Sequence, residues 1–191
     1  MSRFIVGITG ASGSVYAKKL IETLAKDHML HLVITKNGEE VFEYEIGKSF
    51  RRFVAELPYG HCHIEEIDNM FSILASGSSD LDGMLIVPCT MGTIGKINAG
   101  TSDNLLIRAA DVMMKEGKPL VIVPRETPFS TLHLRNLHSL SSLGVKIVPP
   151  IPSFYDKPNT IDDLVGQSVG RIIKAMGVSN ELYNRWSGGN D

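Results

Sequence analysis

Short apolar runs recur along the chain, each followed by a stretch long enough to form a helix. They are Arg3 to Thr9, His31 to Thr35 (HLVIT), Met84 to Pro88 (MLIVP), Leu120 to Val123 (LVIV) and Val145 to Val148 (VKIV). Near-continuous aliphatic, β-branched runs predict strands buried on both faces. Between them the apolar period lengthens to that of a helix. Val15, Lys19, Leu20 and Leu24 are predicted to share one helical face. Leu105, Leu106, Ala109, Val112 and Met113 form another, with Arg108 and Lys115 near its edges. Thr160 and Asp163 make a capping-box-like start, with Asp in place of Glu, for a helix striped by Ile161, Leu164, Val165, Ile172 and Met176. Arg171 sits late in that helix. Residues 46–82 carry the weakest periodicity, and within them Ala75 to Asp82 (ASGSSDLD) predicts a small-residue loop near a ligand or an interface. Strands alternating with helices predict an α/β fold of three layers, a doubly wound and mostly parallel sheet with ligands outside the carboxyl ends of its strands.

The chain has 191 residues, a length that fits one domain spanning 1–191. Hydrophobic residues make up 43% and charged residues 21%, the proportions of a globular protein rather than a disordered one. A core of this size needs no covalent staple, so Cys62 and Cys89 predict reduced thiols and a cytoplasmic setting. The longest apolar runs are far shorter than the roughly 18 residues of a membrane span. The first residues enter a strand without the basic and apolar regions of a signal peptide, which predicts no export. A net charge of −2 supplies no general attraction for nucleic acid, so any affinity for anions must come from a local group of basic residues.

The predicted strand-to-helix loops hold the candidate chemistry. Gly7-x-x-Gly10-x-x-Gly13 with Ser12 lies at the first of them, where glycine lets backbone approach a ligand and free N–H groups favour an anion. The spacing is not the dinucleotide pattern, and a tight turn without ligand is the competing interpretation. Pro88-Cys89-Thr90-Met91-Gly92-Thr93 repeats the same chemistry at a second strand end. Cys89 is expected to be a small apolar residue of the buried strand rather than a nucleophile. Arg125-Glu126 places two charges at a third strand end, poorly suited to packing and well suited to a ligand. With Arg108, Lys115 and Arg171 converging on the same side, positive charge would exceed what one phosphate requires, although solvated helix-face charges are the ordinary alternative. His61-Cys62-His63 lacks a second ligand cluster, so the expectation is a polar surface segment and no metal. His133 and His138 follow the Arg125-Glu126 loop without an evident role.

Taken together, these loops resemble the UbiX-type flavin prenyltransferases from Phe4 to Trp186. The resemblance is carried by GITGASGSVY (Gly7 to Tyr16), ITK (Ile34 to Lys36), ASGS (Ala75 to Ser78), VPCTMGT (Val87 to Thr93), NLLIRAADV (Asn104 to Val112), VPRETPFSTLHLRN (Val123 to Asn136) and FYDKP (Phe154 to Pro158). It implies a Rossmann-like or flavodoxin-like flavoprotein that joins the dimethylallyl group of dimethylallyl phosphate to reduced FMN at N5 and C6. Phosphate is released, no metal takes part, and the prenylated FMN serves a UbiD-type decarboxylase. The resemblance also implies a homo-oligomer, a dodecamer, with neither nucleic-acid nor membrane partners.

Carried over residue by residue, it puts Gly10, Ala11, Ser12, Thr35, Thr90, Met91, Gly92, Thr93, Arg108 and Arg125 on FMN. Lys115, Arg125, Tyr155, Arg171 and Trp186 fall at the prenyl phosphate, and Glu126, Glu45, Lys115 and Ser12 in the catalytic set. Thr35 and Thr90 stand where many relatives have serine, and Asp156 where many have histidine. The chemistry agrees, because ionising an allylic phosphate calls for cations and donors on the leaving group, with apolar walls such as Phe154 and Trp186 around the allylic cation. A carboxylate such as Glu126 would take the proton lost on alkylation. Two other functions fit the same fold: a cysteine-type FMN-dependent decarboxylase, against which the basic cluster argues, and a non-catalytic FMN carrier or electron-transfer module, for which Lys115 and Arg171 would be superfluous.

Overall fold

The computed structural model describes residues 1–182. In chain order its elements are β1 (Arg3–Ile8), α1 (Ser14–Leu24), β2 (Met29–Ile34), α2 (Lys36–Ile46), α3 (Phe50–Ala55), β3 (Cys62–Glu65), a 3-10 turn (Ile73–Ala75), β4 (Gly83–Cys89), α4 (Met91–Asn98), α5 (Leu105–Lys115), β5 (Leu120–Pro124), α6 (Thr131–Ser142), β6 (Lys146–Ile147) and α7 (Ile161–Met176). The strands form one sheet in the order β3-β2-β1-β4-β5-β6, and every neighbouring pair is parallel.

Strand alternation sorts the core into two layers. Phe4, Val6 and Ile8 of β1, with Leu85 and Val87 of β4, face α1, α2, α3 and α7. Ile5 of β1, Met84 and Ile86 of β4 and Ile122 of β5 face α4, α5 and α6. Because both faces are covered, β1, β4 and β5 are apolar almost throughout, which is why they stand out in the sequence. The layers are thick enough that truncating a wholly buried residue such as Leu106 to Ala costs about 2–5 kcal/mol. Helix starts are marked by hydroxyl or amide side chains: Thr35, Ser49, Thr90, Asn104, Ser130 and Thr160 each accept a backbone N–H of the first turn. Such a cap contributes about 1 kcal/mol. Thr160 and Asp163 form the expected capping box, and Ser130 and His133 form a second one, which gives His133 a structural role.

Several expectations are corrected. The buried side of α1 is Ala17, Leu20, Ile21 and Leu24, while Val15 is exposed and Lys19 reaches Asp162 on α7. Ile161 is exposed, and the buried stripe of α7 runs through Val165, Val169, Ile172, Ile173 and Met176. The last strand contracts to the two residues of β6. Cys62–Glu65, expected to be only a polar surface segment, is the edge strand β3 beside β2. His31 of β2 bonds Glu65 of β3 at 2.9 Å, and Ser72 donates to the other oxygen of that carboxylate at 2.8 Å. The segment 66–75 is thereby tied to the sheet. No helix among the described residues is long and apolar enough to cross a membrane.

Candidate functional site

The chain leaves β1 toward β2 on one side and later returns to place β4 on the other, so a crevice opens between the carboxyl ends of β1 and β4. Thr9 locks its floor. The buried hydroxyl donates to the Pro88 carbonyl at 2.9 Å and accepts the Thr90 N–H at 2.9 Å, fixing the two strand ends against each other. Two helices aim their amino termini here. Thr35 Oγ1 accepts Gly38 N–H at 3.1 Å to start α2, and Thr90 Oγ1 accepts Thr93 N–H at 3.1 Å to start α4. Between them lies a cavity of about 540 Å³, whose walls combine Thr9, Gly10, Thr35, Thr90, Gly92 and Thr93 with the apolar Ile67, Leu106 and Ile107. That size and mixture suit a small-molecule cofactor. Gly10 is required sterically, since a Cβ there would lie 2.7 Å from the Cβ of Asn37 at the start of α2. A cradle that closes with a single added methyl, lined by hydroxyls and helix-end donors, fits the phosphate and ribityl chain of FMN, with the apolar wall beside its ring.

Beside the crevice, α1 begins without a side-chain cap of its own, at Gly13 with φ of 120°. Glu45, near the end of α2, supplies the anion instead. Its carboxylate accepts the N–H groups of Gly13 at 3.0 Å and Ser14 at 2.7 Å. Partial burial pushes the Glu45 carboxyl upward, but bonds from the Ser12 hydroxyl, the two backbone N–H groups and Ser14 outweigh it and hold the group below the usual range. Arg125 binds the same turn from the end of β5, donating from Nε to the Ser12 carbonyl at 3.2 Å. Glu126 is exposed next to it and accepts the Thr127 N–H at 3.0 Å.

Because Glu45 has a lowered pKa in the folded chain, its charge stabilises the fold above the ordinary value of 4.5, and that contribution is lost as pH falls through the lowered one. Exposure to solvent limits it to roughly 0.5–1 kcal/mol. Urea melts should show Glu45→Gln less stable than wild type at pH 7, with the difference shrinking below about pH 4.5. A difference independent of pH would mean that the contact acts through shape and not charge.

The structure thus gathers Gly10, Thr35, Thr90, Gly92 and Thr93 around one cavity, and Ser12, Glu45 and Arg125 around the adjacent turn, with Glu126 at its rim. Other expected residues lie elsewhere. Ala11 and Met91 are buried, Met91 in the layer under α4, so only their backbone is available to a ligand. Arg108 donates to the Ala75 carbonyl and pairs with Asp111 along α5. Lys115 ends α5, which runs opposite to the strands, so it sits at the amino-terminal edge of the sheet, paired with Glu116 against Gly77. Arg171 lies ten residues into α7, about 15 Å along it by helix rise, also away from the crevice. Tyr155 belongs to a segment held along α7 by Gln167, which accepts from the Ser153 hydroxyl and donates to the Asp156 carboxylate. The expected convergence of Arg108, Lys115, Arg125 and Arg171 therefore does not occur within one chain: Arg108, in the first turn of α5, is turned to Ala75 and Asp111, and helix direction carries Lys115 and Arg171 down the outside of the sheet. Trp186 lies outside the described residues. Cys89 is wholly buried and burial drives its thiol far up, in line with a packing role. Thr9, Ile67 and Leu106 were not singled out from sequence, because each looks like an ordinary strand, loop or helix residue there.

Comparison with known proteins agrees with this geometry. The Flavoprotein family model matches residues 1–173. Flavin prenyltransferase UbiX of Chlamydia pneumoniae is 42% identical over 189 residues, covering 98% of each chain. Flavin prenyltransferase LpdB of Lactiplantibacillus plantarum is 44% identical over 190 residues, covering 98% of this chain and all of that one. Among solved structures, AnUbiX (PadA1) in complex with FMN and dimethylallyl pyrophosphate has a TM-score of 0.92 at 38% identity, covering 98% of both chains. A dodecameric FMN-dependent UbiX-like decarboxylase from Escherichia coli O157:H7 has a TM-score of 0.91 at 39% identity, covering 97% of this chain and 100% of that one.

Proposed function

Since the chain belongs to the flavoprotein family and, within it, to the flavin prenyltransferases, we propose that it transfers the dimethylallyl group of dimethylallyl phosphate to reduced FMN, releasing phosphate. The observation that carries this assignment is the crevice between β1 and β4, fitted for a flavin phosphate and flanked by a turn to which Glu45 and Arg125 are bonded, with Glu126 next to Arg125. Bound FMN supplies the nucleophilic ring atoms N5 and C6. The chain supplies the rest. Gly10, Thr35 and the α4 turn from Thr90 to Thr93 hold the flavin. Arg125, beside Ser12, presents positive charge where negative charge grows on the leaving phosphate as the allylic C–O bond breaks. Glu126 accepts the proton released on alkylation, and Glu45, within reach of Ser12, exchanges it with the departing phosphate.

Lys115, Tyr155 and Arg171 have the chemistry to bind the prenyl phosphate, but Lys115 and Arg171 are carried away from this crevice in their own chain and Tyr155 is not among the residues lining it. For them to act there, neighbouring protomers must supply them, so we assign the working unit to a homo-oligomer, a dodecamer as in the relative from Escherichia coli O157:H7. The product passes to a UbiD-type decarboxylase. Two free cysteines support a cytoplasmic setting.

The test is anaerobic release of inorganic phosphate from dimethylallyl phosphate, expected only when reduced FMN is present; release without flavin would identify a simple phosphatase. Arg171→Ala should weaken dimethylallyl phosphate binding roughly tenfold to a hundredfold, the scale of one charge-assisted bond at about 1.5–3 kcal/mol, and leave FMN affinity unchanged. Titration of FMN-loaded protein checks it. Equal prenyl phosphate affinity would return Arg171 to an ordinary exposed arginine.

A further inference from the structure

Lys96, which no sequence motif picked out, stands on the wall of the flavin crevice together with Gly92, Thr93 and Asp103. On α4 it is four residues after Gly92 and three after Thr93, so all three share one helical face, and lysine stems lean toward the helix amino terminus. Gly92 leaves that path open: even a Cβ placed there would come no nearer than 3.9 Å to the neighbouring Thr90 hydroxyl. The Lys96 ammonium is half exposed and is held 2.5 Å from Asp103, also on the crevice wall.

From this geometry we infer that Lys96 is a phosphate-binding residue of the flavin site, kept beside Asp103 until the ligand arrives. The inference rests on the assignment of the crevice to FMN. A half-exposed ion pair is weak and readily exchanged, whereas an ammonium on a phosphate dianion makes a stronger, charge-assisted bond. Asp103 has a second consequence. Its carboxylate repels a phosphate entering the crevice unless Lys96 stays close enough to offset it, so the pair, together with Lys36 and Asp68 on the same wall, shapes the charge that the ligand meets.

The experiment measures FMN and riboflavin binding to the full chain by flavin fluorescence, for wild type, Lys96→Met, Lys96→Arg and Asp103→Asn. Lys96→Met is expected to lose at least tenfold in FMN affinity and nothing for riboflavin, which lacks the phosphate. Lys96→Arg should retain most of the affinity, and Asp103→Asn should bind FMN more tightly than wild type. The ionic-strength dependence of FMN affinity should weaken in Lys96→Met, a readout that decides the matter even where riboflavin binds too weakly to titrate. Equal losses for both flavins, or an unchanged salt dependence, would overturn the inference and leave Lys96 a packing partner of Asp103. Absence of FMN binding by the wild type would instead overturn the assignment of the crevice itself.

Discussion

Glu126→Gln is expected to slow formation of prenylated flavin by a factor on the order of 100 or more, the scale of a lost proton acceptor, while FMN affinity stays near wild type. Two features separate these effects. Glu126 is exposed at the loop after β5 and is not among the residues lining the crevice, so flavin binding does not depend on it. Its one structural bond is accepted from Thr127 N–H, a role that the carbonyl oxygen of glutamine performs equally well. What glutamine cannot do is take a proton. Single-turnover absorbance traces on reduced FMN should therefore show normal binding and a slow chemical phase; traces that match wild type would remove Glu126 from the proton path.

The second large effect concerns assembly. Lys115→Ala should be nearly inactive although Lys115 lies at the opposite edge of the sheet from its own chain's crevice. If the lysine serves a neighbour's site, mixing it with Glu126→Gln has a definite outcome. In an oligomer co-assembled from equal amounts of the two variants, a site works when its own chain carries Glu126 defects nowhere and its neighbour retains Lys115. Random pairing gives about a quarter of such sites, so activity should rise from near zero to roughly that fraction of wild type. Thermal melts of each variant confirm that both fold. Activity no greater than the average of the parents would show that Lys115 does not act across subunits.

How far the sequence reaches follows from what each residue must satisfy. β1, β4 and β5 are buried on both faces, so their composition announces them, and the hydroxyl-rich loops at their ends announce the crevice. β3 is an edge strand with partly exposed residues, stabilised by the contacts of Glu65 with His31 and Ser72 that no local pattern encodes. Its polar alternation looked like surface. Thr9 was hidden for a related reason, because its importance lies in two bonds to residues about eighty positions away. The basic residues are legible by type, but which of them meet within one chain is not. A helix returning antiparallel to the strands moves each successive residue about 1.5 Å away from the carboxyl edge, so Lys115 and Arg171 end far from a site that Arg125 reaches directly.

The proposed reaction forms a carbon–nitrogen and a carbon–carbon bond to the flavin. It is tested most directly by the mass of the flavin extracted after anaerobic incubation of the protein with reduced FMN and dimethylallyl phosphate. The expected product is a flavin heavier than FMN by one dimethylallyl unit, formed without added metal. Recovery of unmodified FMN alone, from folded protein with flavin bound, would contradict it.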